Sequence, residues 1–166
     1  MRSSASWWAV KVRQFRAHVG AAVAPSERVE LASWLTPAQL ALFDTMSAAD
    51  QRHGLDVVAT LRASGATDAD LLLAGLLHDA GKGPTVGLWP RVAWSLGERY
   101  GPWLWRVAGV LPGFPAAIDR MRNHAARSAE LAEQAGCSPR TVDLILHQST
   151  PEDSDGAVLQ LADEAN

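Results

Sequence analysis

The sequence predicts an all-α fold, and three observations carry that prediction. Helix-start residues recur along the chain, each followed by a run with helical apolar spacing, while alternating stretches of the strand type are nearly absent. Glycine and proline close most of these runs. The most apolar run holds Leu71, Leu72, Leu73, Leu76 and Leu77 and is apolar over most of its circumference, which marks a central, buried helix.

The elements follow in order. Residues 5–24 read as a helix stopped before Pro25. Ser26 is positioned to cap a short helix through Trp34. Thr36-Pro37-Ala38-Gln39 has the form of a capping box with proline at the first helical position, opening a helix to about Phe43. Ser47 caps a helix to Ala63, with Asp50 as its acidic third residue, and Ser64-Gly65 ends it. Thr67-Asp68-Ala69-Asp70 opens the leucine-rich helix in the same way, Gly81 stops it, and a glycine-rich loop covers 81–87. Helices are expected over 90–100 and 103–111. Pro112-Gly113-Phe114-Pro115 then breaks the chain. A long helix is expected over 116–135, another from Ser138-Pro139 to about Gln148, and a last one over 154–164. No internal repeat or linker stands out.

Composition narrows the function classes. A chain of 166 residues, 48% hydrophobic and 20% charged, suits one compact domain with a sizeable core. The net charge of −3 gives no reason to expect a nucleic-acid polymer as partner. Cys137 is the single cysteine, so an intramolecular disulfide is excluded and a reducing cytoplasm is the expected compartment. No apolar run approaches the ~20 residues of a membrane span, and the first residues lack a secretory leader pattern. Trp7, Trp8, Val10, Val12, Phe15 and Val19 alternate with Lys11, Arg13 and Arg16, a mixture read as a helix packed on its own domain. Thirteen of the fifteen basic residues are arginine, so the two lysines, Lys11 and Lys82, are less readily dismissed as surface filler.

Four of the five histidines, His53, His78, His124 and His147, fall on or at the ends of predicted helices, whereas His18 reads as a core or capping residue. His78 and Asp79 close the most apolar helix. A carboxylate buried there without a partner is strongly unfavourable, and a metal ion accepting both side chains removes the problem. Successive helical residues point about 100° apart, but at a helix end both can converge on one ion. His53 and Asp163 complete a set from two other helices. Such mixed nitrogen and oxygen ligands suit Mn, Fe, Co, Ni or Zn better than Ca or Mg. Asp50, Asp68 and Asp70 are explained as helix-start residues, and the tryptophans as core and pocket wall.

Arg52-His53, then Leu76-Leu77-His78-Asp79-Ala80-Gly81-Lys82, then Ala162-Asp163 together resemble the HD-domain superfamily of metal-dependent phosphohydrolases, in its HDxGK form. The resemblance covers 46–166. It implies an HD-type helical bundle, with 1–45 as a helical extension packed on it in one compact unit. It also implies His53, His78, Asp79 and Asp163 as ligands of a first ion. In binuclear branches of that superfamily two further histidines bind a second ion, and His124 and His147 stand in that order, with Asp79 as the bridging ligand. The cyclic-dinucleotide phosphodiesterases among them carry a Gly-Tyr-Pro segment after a His-His pair. Here His147-Gln148 occurs and no Gly-Tyr-Pro follows, so that activity is not expected.

The implied function is hydrolysis of a nucleotide or other small phosphate ester, using one or two divalent transition metal ions to turn water into a hydroxide nucleophile near neutral pH. Asp79 would orient or deprotonate that water. Lys82 is a candidate for gripping a phosphate oxygen as a point charge. Arg127, three residues after His124 on the same helical face, and Arg52 are candidate phosphate clamps. Two alternatives stay open: a mixed-valent di-iron oxygenase, because some HD-fold proteins use the same six ligands for oxidation, and a non-catalytic metal-containing sensor or interaction module contacted through residues 89–105. A homodimer is also left open.

Overall fold

The computed structural model describes residues 22–84 and 86–166. The first predicted helix, with its tryptophans and His18, therefore lies almost wholly outside the described residues. Among the described residues there are ten α-helices, one 3-10 turn and no strand, which makes the chain all-α.

Helices α1 (Pro25–Trp34) and α2 (Pro37–Thr45) both open on proline, which loses nothing at a position whose N–H has no helical partner. The capping box of α2 is complete: Gln39 N–H donates to Thr36 Oγ1 at 3.3 Å and Thr36 N–H to Gln39 Oε1 at 2.9 Å. Ser47 caps α3 (Ala48–Ala63) by accepting from Asp50 N–H at 3.2 Å, and Asp68 caps α4 (Ala69–Leu77) by accepting from Leu71 N–H at 2.9 Å. A 3-10 turn (Ala80–Lys82) follows. An excursion of three helices, α5 (Leu88–Tyr100), α6 (Trp103–Ala108) and α7 (Phe114–Arg122), leads to α8 (His124–Gln134), α9 (Pro139–Leu146) and α10 (Ser154–Ala165).

Every residue from Leu71 to Leu77 is buried, and α4 packs against α3, α9 and α10. Leu31, Leu42 and Phe43 from α1 and α2 enter the same core as Val57, Leu61, Ile145 and Leu159. Two glycines let backbones meet at the edge of this core. A Cβ on Gly54 of α3 would lie 2.5 Å from the Leu76 carbonyl oxygen. One on Gly81 would lie 2.4 Å from the His124 carbonyl oxygen and 2.6 Å from the Ser128 nitrogen. Both close approaches fall beside histidines of the predicted site.

Several predicted boundaries shift. Helix α4 ends at Leu77 rather than running to Gly81, so His78 and Asp79 sit in the junction before the 3-10 turn. The Ala24 N–H, donating to Glu27 Oε2 at 2.8 Å, starts α1 in place of a Ser26 cap. Helix α5 begins at Leu88, two residues before Pro90. Gly113 (φ 82°) takes a left-handed conformation that glycine adopts without steric cost, and Pro115 fits the first turn of α7, so the Pro-Gly-Phe-Pro segment also starts a helix. The helix expected over 116–135 is two helices. Asn123 (φ −106°, ψ 12°) interrupts it, with its amide donating to Asp119 Oδ1 at 2.8 Å. Asparagine makes such local bonds readily and so favours helix ends. The interruption leaves His124 as the first residue of α8.

Candidate metal centre

Four elements meet at the exit of α4. Helix α3 supplies His53, the junction supplies His78 and Asp79, α8 supplies His124 and α10 supplies Asp163. The contact at Gly54 sets α3 against Leu76, two residues before His78. The contact at Gly81 sets the 3-10 turn against the first turn of α8, where the buried Ser128 hydroxyl accepts from Gly81 N–H at 2.8 Å. These two approaches fix the spacing of the histidines.

His53 Nε2 lies 2.8 Å and His78 Nε2 3.4 Å from Asp163 Oδ1. The two imidazoles meet edge to face at 5.2 Å between centroids. Ligand atoms of His53, His78 and Asp163 all fall within 4.8 Å of one another. His78 Nε2 is also 3.7 Å from Asp79 Oδ1, which His124 Nε2 approaches from the other side at 3.6 Å. Lys82 Nζ bonds the other oxygen, Asp79 Oδ2. One buried carboxylate thus faces two imidazoles through one oxygen and an ammonium through the other.

The tautomers follow from the second ring nitrogens. His78 Nδ1 lies 2.9 Å from the Gly75 carbonyl and His124 Nδ1 2.6 Å from the Met121 carbonyl. Each Nδ1 must carry a hydrogen, so Nε2 is the nitrogen turned toward carboxylate oxygen and left for a proton or a metal ion. His78 Nε2 is buried and lacks a hydrogen-bond partner among the described residues. A buried lone pair facing carboxylates calls for a cation between them. Backbone carbonyls that fix the outer nitrogen are the usual support of metal-ligating histidines, so the donor set fits a divalent ion.

The titration pattern agrees with that need. Burial pushes the His78 pKa down, but the Asp79 and Asp163 carboxylates outweigh it and raise the value to about 9. In the metal-free chain a proton therefore fills the place that suits a metal. Burial would raise Asp79 and Asp163, yet both are held well below the usual carboxylate range, Asp79 chiefly by the Lys82 ammonium and Asp163 by the His53 and His78 imidazoles. Burial keeps His124 lowered despite Asp79, and so neutral with a free Nε2.

His147 is placed differently. It ends α9, with Nδ1 3.1 Å from both the Asp143 carbonyl and Asp143 Oδ1, and Nε2 3.7 Å from Glu152 Oε1. Asp143, His147 and Glu152 form a second possible ligand group, which contains neither His124 nor Asp79. The pairing of His147 with His124 that the resemblance implies is not among the contacts seen. Its neighbour Gln148 is buried and donates to the His78 carbonyl at 3.1 Å. The two arginines are already engaged. Arg52 pairs with Glu27 at 2.7 Å and Asp56 at 3.0 Å, and Arg127 with Asp119 at 3.1 Å.

Sequence reasoning missed Ser128, Gln148 and Arg91. Arg91 of α5 makes a two-pronged ion pair with the buried Asp50 carboxylate, at 2.6 and 2.7 Å, one helical turn before His53. The signal for Asp50 was present as a cap residue, but nothing local names a partner 41 residues away. No family model, curated protein or solved structure matches this chain. The site is read from its own geometry.

Proposed function

We propose that the chain is an HD-type, divalent-metal-dependent phosphohydrolase acting on a nucleotide or another small phosphate ester. The observation that carries this reading is His78 Nε2: buried, unpartnered, its tautomer fixed by Gly75, and facing the carboxylates of Asp163 and Asp79. His53, His78, Asp79 and Asp163 would hold one ion. His124, whose Nε2 lies 3.6 Å from Asp79 Oδ1, would with Asp79 hold a second ion. A divalent ion here supplies Lewis acidity toward a phosphoryl oxygen and toward water.

The chain's own groups supply the rest. Asp79, with Oδ2 committed to Lys82 and Oδ1 facing the ligand histidines, would position the attacking water. The water oxygen forms the new bond to phosphorus, the ester P–O bond breaks, and the proton passes to the departing alkoxide. Lys82 is mostly buried beside Asp79 and supplies the positive charge for a phosphate oxygen. Arg52 and Arg127 receive no substrate role, since they pair with carboxylates outside the ligand set, Glu27, Asp56 and Asp119.

Phosphate release from a panel of nucleotides and phosphomonoesters, with Mn, Co or Ni added, tests the reading. Activity that depends on the metal and disappears in Asp79→Ala is expected. Oxygen consumption by an iron-loaded chain with no phosphate release would overturn it in favour of oxidation chemistry. Metal content per chain tests the second ion: it should exceed one in the wild type and fall in His124→Ala. A content of one in both proteins would remove the second ion.

A further inference from the structure

The excursion α5–α7 keeps one side against itself and leaves the other uncovered. On its inner side Trp105 stacks on Trp94 at 4.7 Å between centroids, nearly parallel, and donates from Nε1 to the Trp94 carbonyl at 3.2 Å. On its outer side Trp103, Arg106 and Val107 follow the i, i+3, i+4 spacing of one face of α6, and Val110 follows in the turn that ends it. All four are exposed, Trp103 to 54%, Val107 to 59% and Val110 to 80%. Leu111 continues the apolar run, also exposed. Contiguous exposed apolar side chains at this spacing mark an interaction surface.

Among the described residues, the charged side chains around this face that lack an opposite partner are arginines. A concavity lined in part by Pro102, Arg106, Val110 and Arg122 brings the α7 arginine beside the stripe. Arg99 lies over the Tyr100 ring and Arg122 over the Trp105 ring, each within 6 Å of the centroid. Among the described residues no carboxylate pairs with Arg99, Arg106 or Arg122. This stands out in a chain whose net charge is negative.

We propose that the α6 face docks the protein on a bilayer surface rich in anionic lipid. Charge complementarity selects that occupant. A second copy meeting the same face by two-fold symmetry would set arginine against arginine with no carboxylate to match. The chain's own first residues offer no charge complement: Arg2, Lys11, Arg13 and Arg16 precede the first acidic residue, Glu27. Tryptophan beside aliphatic side chains and arginine is the composition that settles at the headgroup boundary. Anionic headgroups then neutralise the arginines. Valine and leucine at the centre of the face gain little from a nucleic-acid polymer, which offers charge and stacking rather than hydrocarbon.

Sedimentation of the full-length chain with vesicles tests the proposal, using phosphatidylcholine alone or mixed with phosphatidylglycerol, at low and high salt. Binding to the mixed vesicles that weakens in salt is expected. Arg106→Glu, and separately Trp103→Ser with Val110→Ser, should each weaken it by about ten-fold or more. Thermal melts of these variants should match the wild type, because the changed side chains are exposed. Absence of binding, or equal binding to neutral vesicles, overturns the proposal. So does binding that the variants retain, which would assign it to residues 1–21. A solution dimer that the same substitutions dissociate would assign the face to a second copy and also overturn it.

Discussion

Replacing Gly81 with alanine puts a methyl carbon 2.4 Å from the His124 carbonyl oxygen and 2.6 Å from the Ser128 nitrogen. Both neighbours are backbone atoms of the first two turns of α8 and cannot rotate away. Restoring ordinary contact, about 3.4 Å, requires α8 and the 3-10 turn to part by about 1 Å. Overpacking of this kind costs about 1–3 kcal/mol. The separation also stretches the bond from Gly81 N–H to Ser128 Oγ, and a buried N–H left unpaired costs about 1–3 kcal/mol more. Alanine returns about 0.4–1 kcal/mol by stiffening the unfolded chain. The net loss is about 3 kcal/mol, or a fall in Tm of about 6–12 °C for a chain of this size. His124 retreats with α8, so the second metal equivalent should go while the first stays. Urea denaturation and metal analysis on the same preparation read both effects. A variant within about 0.5 kcal/mol of wild type, with unchanged metal content, would refute the idea that this contact sets the distance from Asp79 to His124.

Other perturbations reach different parts of the structure. Asp50→Asn removes one charge of the buried pair with Arg91 and should cost about 3 kcal/mol in chemical denaturation; a cost below about 1 kcal/mol would mean that this pair does not anchor α5. In the metal-free chain the His78 pKa of about 9 lies above its ordinary 6.5. Its contribution is therefore complete below pH 6.5 and lost as pH rises through 9, a decline on the order of 3 kcal/mol. Stability of the EDTA-stripped chain that stays flat from pH 6.5 to 9 would contradict the carboxylate contacts of His78. Burial raises the Cys137 thiol, Asp70 adds to the rise, and the bond from the Gln39 amide only partly opposes them. Disulfide exchange with a small aromatic reagent at pH 8 should thus run about ten-fold slower in the native chain than in urea; equal rates would place the thiol outside the core.

Capping chemistry made much of the fold legible, because a cap is a local bond between residues three apart. Thr36 with Gln39 and Ser47 with Asp50 could each be read without knowing the rest of the chain, while the cap of α4 falls on Asp68, one residue after Thr67. The division at Asn123 was only partly legible: its bond to Asp119 is local, but the turn of α8 onto the 3-10 turn at Gly81 is a tertiary contact that spacing does not report. Gly81 itself reads as a helix stop, yet its φ is not positive, and space rather than conformational freedom accounts for it. Asp70 shows the same limit. As a first-turn acid it is fully explained locally, but it also accepts from Ser138 and Thr141 at 2.6 and 2.9 Å and so ties α9 to α4. At the site, the structure brings His53, Asp79 and Asp163 around His78 and sets His124, expected beside Asp79, 3.6 Å from its Oδ1. The placement of His147 depends on where α9 ends, which spacing alone does not determine.

The bond from Gly81 to Ser128 has a topological consequence. It closes the chain on itself just before the excursion begins and just after it ends. The whole stretch from Gly83 to Asn123 thereby becomes a loop whose closure is set by other residues. The entropy of closing such a loop grows only with the logarithm of its length, so doubling the stretch would add about 0.6 kcal/mol. The spacing of the 3-10 turn and α8 is then held without the middle of the excursion. Apart from the tie between Arg91 and Asp50 and the end of α7, whose Met121 carbonyl holds His124 Nδ1, its helices are free to diverge in length and surface.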